Sequence, residues 1–333
     1  MTLKIGILGG GSWGTTLASL TARNSPTKIW ARNQKTVDEI NHHHSNEKYL
    51  PGSKLTESLR ATTSIKEAIQ DADVLVMAVP SQSFRHVLED AKPYIRPWIP
   101  IVSLSKGLEK GTKMRMTEII ETIMPGHPAG ALTGPNLARE IIAGQAAASV
   151  LAMVDDTIAN ELKKVFQTGL FRVYTNEDVI GCELGGALKN VIAIAAGMGD
   201  GAGAGDNTRA AIITRGLAEL TRLGVAMGGK PLTFAGLAGM GDLVATCSST
   251  QSRNRHVGFQ LGKGRTLDEI IEEMSMVAEG VKTCGVVREL AQQYNIEMPI
   301  TEEVYMVIND GNTVKDAFRG LLGQESGAES DPG

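Results

Sequence analysis

KIGILGGGSWGTTLASL, from Lys4 to Leu20, decides how the rest of the chain is read. Lys4 to Leu8 is a short apolar run of strand length, and the segment after Gly14 has the composition of a helix. Between them Gly9, Gly11 and Gly14 stand in G-x-G-x-x-G spacing. In a strand–turn–helix unit the first glycine permits the turn. The second lets the backbone approach a pyrophosphate, and the third lets helix and strand pack closely. The helix start then offers unbonded N–H groups to phosphate. A merely tight βα turn is the alternative, and the position of the motif at the very first strand favours a dinucleotide site. Flavin dinucleotides use the same fingerprint, but no second flavin signature follows.

Outward from this unit the first half alternates short apolar runs with helical segments, the pattern of a parallel α/β sheet. Strands are expected at Lys4 to Leu8, Lys28 to Ala31, Val74 to Val79, Ile99 to Leu104, Ala129 to Thr133 and Ser149 to Val154. The loops VPSQ (Val79 to Gln82), SLSKG (Ser103 to Gly107) and TGPN (Thr133 to Asn136) follow strand ends, where open α/β sheets bind ligands. Beyond about residue 183 the pattern turns helical. Thr266 and Glu269 form a capping-box pattern, and a further helix is expected from an N-cap at Thr301 to Gly311. The expected fold class is α/β: a Rossmann-type, mostly parallel sheet domain over residues 1–182, then an all-helical domain over 183–322. The small, polar residues 323–333 are expected to be disordered.

Apolar residues make up 42% of the 333 and charged ones 21%, the balance of a chain that folds into globular domains. A net charge of -4 with 4% aromatics argues against a nucleic-acid partner. Cys182, Cys247 and Cys284 are odd in number and lack metal-ligand spacing, which suggests reduced thiols in a cytosol and no metal site. NHHHSNEK, with His42 to His44, reads as a solvated loop. The longest apolar stretch, around residues 184–199, reads as too short for a membrane span, and it contains Lys189.

Three groups carry the chemistry. The second strand ends at Arg32 where an acidic residue would bind a free ribose 2′-hydroxyl, so NADP(H) is favoured and NAD(H) remains possible; an exposed loop arginine is the alternative. Lys189, in GALKNVIAIAAG, is either a snorkelling surface lysine or a reacting group at the junction of the two halves. Hydride chemistry belongs to the cofactor, so the protein must move a proton, and a lysine tuned by burial or by a neighbouring cation such as Lys106 can do so. Asp242 would pair with it or orient it. The run Ser252 to Arg255, SRNR, is either a solvated basic turn or a phosphate-binding cluster.

GGGSWGT, SLSKGLE, LTGPNLARE, ELGGALKNVIAIAAGMGDG, GLAGMGDL, SRNRHVG and VAEGVKT occur in that order, and together they resemble the bacterial NAD(P)-dependent glycerol-3-phosphate dehydrogenases over nearly the whole chain. The resemblance implies reversible reduction of dihydroxyacetone phosphate to sn-glycerol 3-phosphate, supplying glycerophospholipid synthesis, by a cytoplasmic homodimer. It implies Lys189 as proton carrier, with Lys106, Gly134, Asn136, Asn190, Asp242, Thr246, Ser252, Arg253 and Asn254 around the phosphorylated substrate. Gly9, Gly11, Ser12, Trp13, Gly14, Arg32, Tyr49, Lys106, Ala138, Arg253, Val277 and Glu279 would line the cofactor. The family's GPS-F-A motif has Ser and Phe where this chain has Asn136 and Leu137. Dehydrogenases of β-hydroxyacids or ketopantoate, whose carboxylate the SRNR run would also suit, are the nearest rival, and a non-catalytic dinucleotide sensor is a more distant one.

Overall fold

The computed structural model describes residues 2–274 and 278–323. The chain divides into two compact units: Met1–Lys106 with Met114–Val179, and Gly107–Lys113 with Ile180–Gly333. The expected disordered tail lies outside the described residues, except for Gly323.

The first unit is built on an eight-stranded sheet in the order β3-β2-β1-β4-β5-β6-β7-β8. The strands are β1 (Ile5–Leu8), β2 (Thr27–Trp30), β3 (Arg60–Thr62), β4 (Val74–Met77), β5 (Ile101–Ser103), β6 (Ala129–Thr133), β7 (Ala147–Met153) and β8 (Phe171–Asn176). Every pairing is parallel except β6 with β7. β1 and β4 are buried on both faces, which is why they read as unbroken apolar runs. β1 is flanked by β2 on one side and β4 on the other, so the chain reverses its direction across the sheet there. The glycine loop follows β1, at the carboxyl edge of that switch point, where doubly wound sheets bind ligands.

The second unit is all helical among the described residues. Its axis is the 23-residue helix Val179–Gly201. The apolar stretch read as too short for a bilayer is in fact the middle of a helix long and apolar enough to span one, and 94% of its most apolar window is buried. Water is kept from it by other helices, as for the core helix of a globular domain. The helix Arg253–Gly262 crosses it closely. A Cβ on Gly197 would lie 2.1 Å from the Arg255 carbonyl oxygen, and one on Gly258 would lie 2.0 Å from that of Ile194. Leu108 is fully buried in this helical core, which explains why Gly107–Lys113 belongs to the second unit.

The capping box of Thr266 and Glu269 forms as expected. Thr301 is not an N-cap: its helix, Pro299–Asn309, begins earlier, after Met298. Glu219, from the helix Asp206–Ala226, caps it from outside by accepting from the N–H groups of Ile300 (2.6 Å) and Thr301 (3.2 Å).

Candidate active site

In the first unit the three fingerprint glycines do different work. Gly9 has φ +129°, and a Cβ there would sit 2.3 Å from the Ala78 carbonyl oxygen. One on Gly14 would sit 2.1 Å from that of Gly9. Gly11 is the contrast, with nothing within 4 Å of its Cβ direction. Ser12 opens the helix Ser12–Thr21, whose N-terminus has no side-chain cap. A helix start without a side-chain cap is the arrangement that suits phosphate. The Trp13 ring packs edge-on against Phe171, and its buried Nε1 meets no acceptor. Close packing at two glycines, open space at the third and a helix start without a side-chain cap fit a dinucleotide.

Arg32 is exposed one residue beyond Ala31, and Asn33 caps the next helix by accepting from the Lys35 N–H at 2.8 Å. Tyr49 lies in a turn begun by Asn46. The Ala138 carbonyl accepts from Thr16 Oγ1, tying its helix to the glycine-loop helix. Lys106 donates to the Gly134 carbonyl at 2.7 Å. Gly134 has φ +136°. Asn136 donates through Nδ2 to Ser149 Oγ at 3.1 Å, and Ser149 Oγ donates to the Thr133 carbonyl at 2.8 Å. The single Ser149 proton is thereby committed, so the Asn136 amide nitrogen must face it, and the buried Oδ1 points elsewhere without a donor.

In the second unit Lys189 is buried, 4% exposed. Its Nζ donates to Asp242 Oδ1 at 2.7 Å and to Thr246 Oγ1. Thr246 Oγ1 also donates to the Asp242 carbonyl at 2.7 Å, one helical turn back. Snorkelling is thus excluded: the ammonium is held inside by a carboxylate and a hydroxyl. Asn190, the next residue, accepts from Asn254 Nδ2 at 2.9 Å, and Asn254 Oδ1 accepts from the Gly280 N–H at 2.9 Å. Ser252 caps the helix Arg253–Gly262 by accepting from the Arg255 N–H. Arg255 is ion-paired with Asp200, which also holds Arg209. Arg255 is partly buried, and Arg253 is the more exposed arginine of the run. Its surroundings are nonetheless crowded enough that desolvation lowers its pKa from the usual arginine value, with Glu279 opposing the shift. The guanidinium stays charged. Val277 lies outside the described residues.

Two family models match the chain: the NAD-dependent glycerol-3-phosphate dehydrogenase N-terminus over residues 4–159 and the corresponding C-terminus over residues 178–319. The chain belongs to the NAD-dependent glycerol-3-phosphate dehydrogenase family. It is 62% identical over 333 residues to a glycerol-3-phosphate dehydrogenase, NAD(P)+ type, of Sphingopyxis alaskensis, covering 100% of both chains. It is 57% identical over 327 residues to one of Mycobacterium tuberculosis, covering 98% of this chain and 96% of the other. The crystal structure of glycerol-3-phosphate dehydrogenase from Coxiella burnetii superposes with a TM-score of 0.92 at 38% identity, covering 97% of this chain and 99% of that one.

For a member of this family, two features of the site went unread in the sequence. Asn46 sits in the stretch expected to be a solvated loop, yet it is fully buried and bonded to the glycine loop. Nothing local marks it, because only the tertiary fold decides which asparagine of a polar stretch turns inward. Asp200 holds Arg255 across 55 residues, a pairing invisible to local pattern. A signal did exist for the helix crossing that supports it: Gly197 and Gly201, like Gly258 and Gly262, stand four apart and so share a helix face.

Proposed function

We propose that this protein catalyses the reversible NAD(P)H-dependent reduction of dihydroxyacetone phosphate to sn-glycerol 3-phosphate. The buried Lys189–Asp242–Thr246 cluster carries the reading, because the two reacting-centre residues picked from the sequence meet there as an ion pair. Family membership supplies the substrate class. In this reading residues 1–182 hold the dinucleotide, and residues 183–322 hold substrate and the proton carrier.

The nicotinamide, when bound, supplies or accepts the hydride. Gly11 and the start of the Ser12–Thr21 helix receive the pyrophosphate, while Trp13, Tyr49 and Ala138 border the dinucleotide. Lys189 donates from Nζ to the substrate's carbonyl oxygen, stabilising the developing alkoxide and then passing it a proton. In the reverse direction the neutral amine takes that proton back. Asp242 and Thr246 orient Nζ, so the ammonium is aimed before substrate arrives. Arg253, with Asn254 and Ser252 at the same helix start, binds the phosphate; Arg255 is engaged by Asp200 and supports the turn instead. Lys106, fixed on the Gly134 carbonyl, adds a second cation for the phosphorylated ligand or the cofactor.

Arg32 favours NADPH over NADH in this reading. A homodimeric, cytoplasmic enzyme is what the family resemblance implies. The test is Lys189→Ala: turnover of dihydroxyacetone phosphate should fall by at least about a thousandfold while NADPH affinity changes less than about twofold, consistent with loss of a general acid. A variant that keeps most of its kcat removes Lys189 from the mechanism.

A further inference from the structure

Asn46 is fully buried in the first unit, in a turn remote in sequence from the glycine loop it touches. Its Nδ2 donates to the Gly10 carbonyl at 3.1 Å and to Thr15 Oγ1 at 2.9 Å. The Gly10 oxygen can only accept, so the amide nitrogen must face it and the orientation of the side chain is fixed. In a trans peptide the Gly10 C=O and the Gly11 N–H point in opposite directions. Holding the carbonyl against Asn46 therefore turns the Gly11 N–H the other way. Gly11 has no atom within 4 Å of its Cβ direction, and among the described residues none accepts from its N–H. A Cβ on Gly10 itself would lie 2.7 Å from Ala31 Cβ, so the peptide is backed by packing as well as by the hydrogen bond.

We infer that Asn46 is a positioning residue for the cofactor's pyrophosphate: it locks the Gly10–Gly11 peptide with its N–H presented to the phosphates. It does not touch the reacting atoms. The same residue also winds the turn bearing Tyr49, because its carbonyl accepts from the N–H groups of Tyr49 (3.1 Å) and Leu50 (2.7 Å). That second role predicts a different outcome, so the two can be separated. The inference rests on the dinucleotide reading of this unit.

The test compares ADP-ribose, which carries a pyrophosphate, with AMP, which does not, in calorimetric titrations of the full chain. Asn46→Asp keeps the shape but cannot donate to the Gly10 carbonyl, and Asn46→Ser, whose hydroxyl is too short to reach that carbonyl, decides the matter if the first variant does not fold. Both should bind ADP-ribose about tenfold more weakly, the loss of one buried hydrogen bond, with AMP changed less than about twofold. The KM for dihydroxyacetone phosphate at saturating NADPH should stay the same, a split that simple loosening of the fold would not give. Equal losses for both nucleotides would mean that Asn46 acts through the Tyr49 turn, and would overturn the inference. Unchanged ADP-ribose binding would overturn it too. Wild-type protein that binds no ADP-ribose would remove the dinucleotide reading, and the inference with it.

Discussion

The Lys189–Asp242 pair gives a prediction that separates what holds the fold from what performs the reaction. Both side chains are nearly sealed from water, 6% and 3% exposed, with Nζ and Oδ1 2.7 Å apart. Desolvation makes such a pair a modest net stabiliser, yet removing one partner strands the other charge inside the helical unit at a cost of about 3–5 kcal/mol. Lys189→Met and Asp242→Leu should each be destabilised on that scale. The double variant removes both charges of the pair. Thr246 keeps its bond to the Asp242 main-chain carbonyl, so no hydroxyl is orphaned. The double variant should therefore recover to within about 1–2 kcal/mol of wild type, a coupling of several kcal/mol. Its turnover should remain absent, because the proposed proton carrier is gone. Urea unfolding followed by far-UV circular dichroism reads the helices of the second unit. If the single losses simply add in the double variant, the two groups are not a buried unit and the proposed aiming of Nζ by Asp242 is wrong.

The remaining predictions concern the cofactor, the phosphate and pH. Arg32→Ala should weaken NADPH binding by about 1.5–3 kcal/mol more than NADH binding, the worth of a charged hydrogen bond; equal losses in fluorescence titrations would sink the 2′-phosphate assignment. Arg253→Ala should raise the KM for dihydroxyacetone phosphate by about 10–100-fold in initial rates at saturating NADPH, and an unchanged KM would remove Arg253 from the phosphate site. Burial of Glu219 pushes its pKa up from 4.5 to about 7, against the hydrogen bonds from Ile300 and Thr301 that oppose the rise. The folded state then holds a proton that the unfolded chain has lost between those values. This contribution is full below pH 4.5 and disappears as pH rises through about 7, an upper figure of about 3 kcal/mol. Unfolding midpoints at about pH 5 and about pH 8 should thus differ less in Glu219→Gln than in wild type, and an identical difference would contradict the assignment.

The strands that carry the cofactor loop were legible because their burial makes them continuous apolar runs, as in β1 and β4. β3 and β8 were missed for different reasons. β3 is three residues, Arg60–Thr62, with one buried side chain. β8 does carry a signal, since Phe171 and Val173 are buried while Arg172 and Tyr174 face out, but it is the two-residue period of an edge strand. The direction of β7 is not readable from composition, because an antiparallel strand buried on both faces has the same residues as a parallel one. At the site, Lys189 and Asp242 were readable by residue type, since an ammonium in an apolar run requires an anion. The commitment of Arg255 to Asp200 was not. The Thr301 cap failed for a tertiary reason: a carboxylate from another helix performs the capping, so the helix needs no local cap.

The central claim is tested most directly by the initial rate of NADPH oxidation with dihydroxyacetone phosphate, run beside unphosphorylated dihydroxyacetone, ketopantoate and a blank without substrate. The account predicts turnover with the phosphorylated ketone alone. Turnover of ketopantoate, or none with dihydroxyacetone phosphate from protein that binds NADPH, would contradict it.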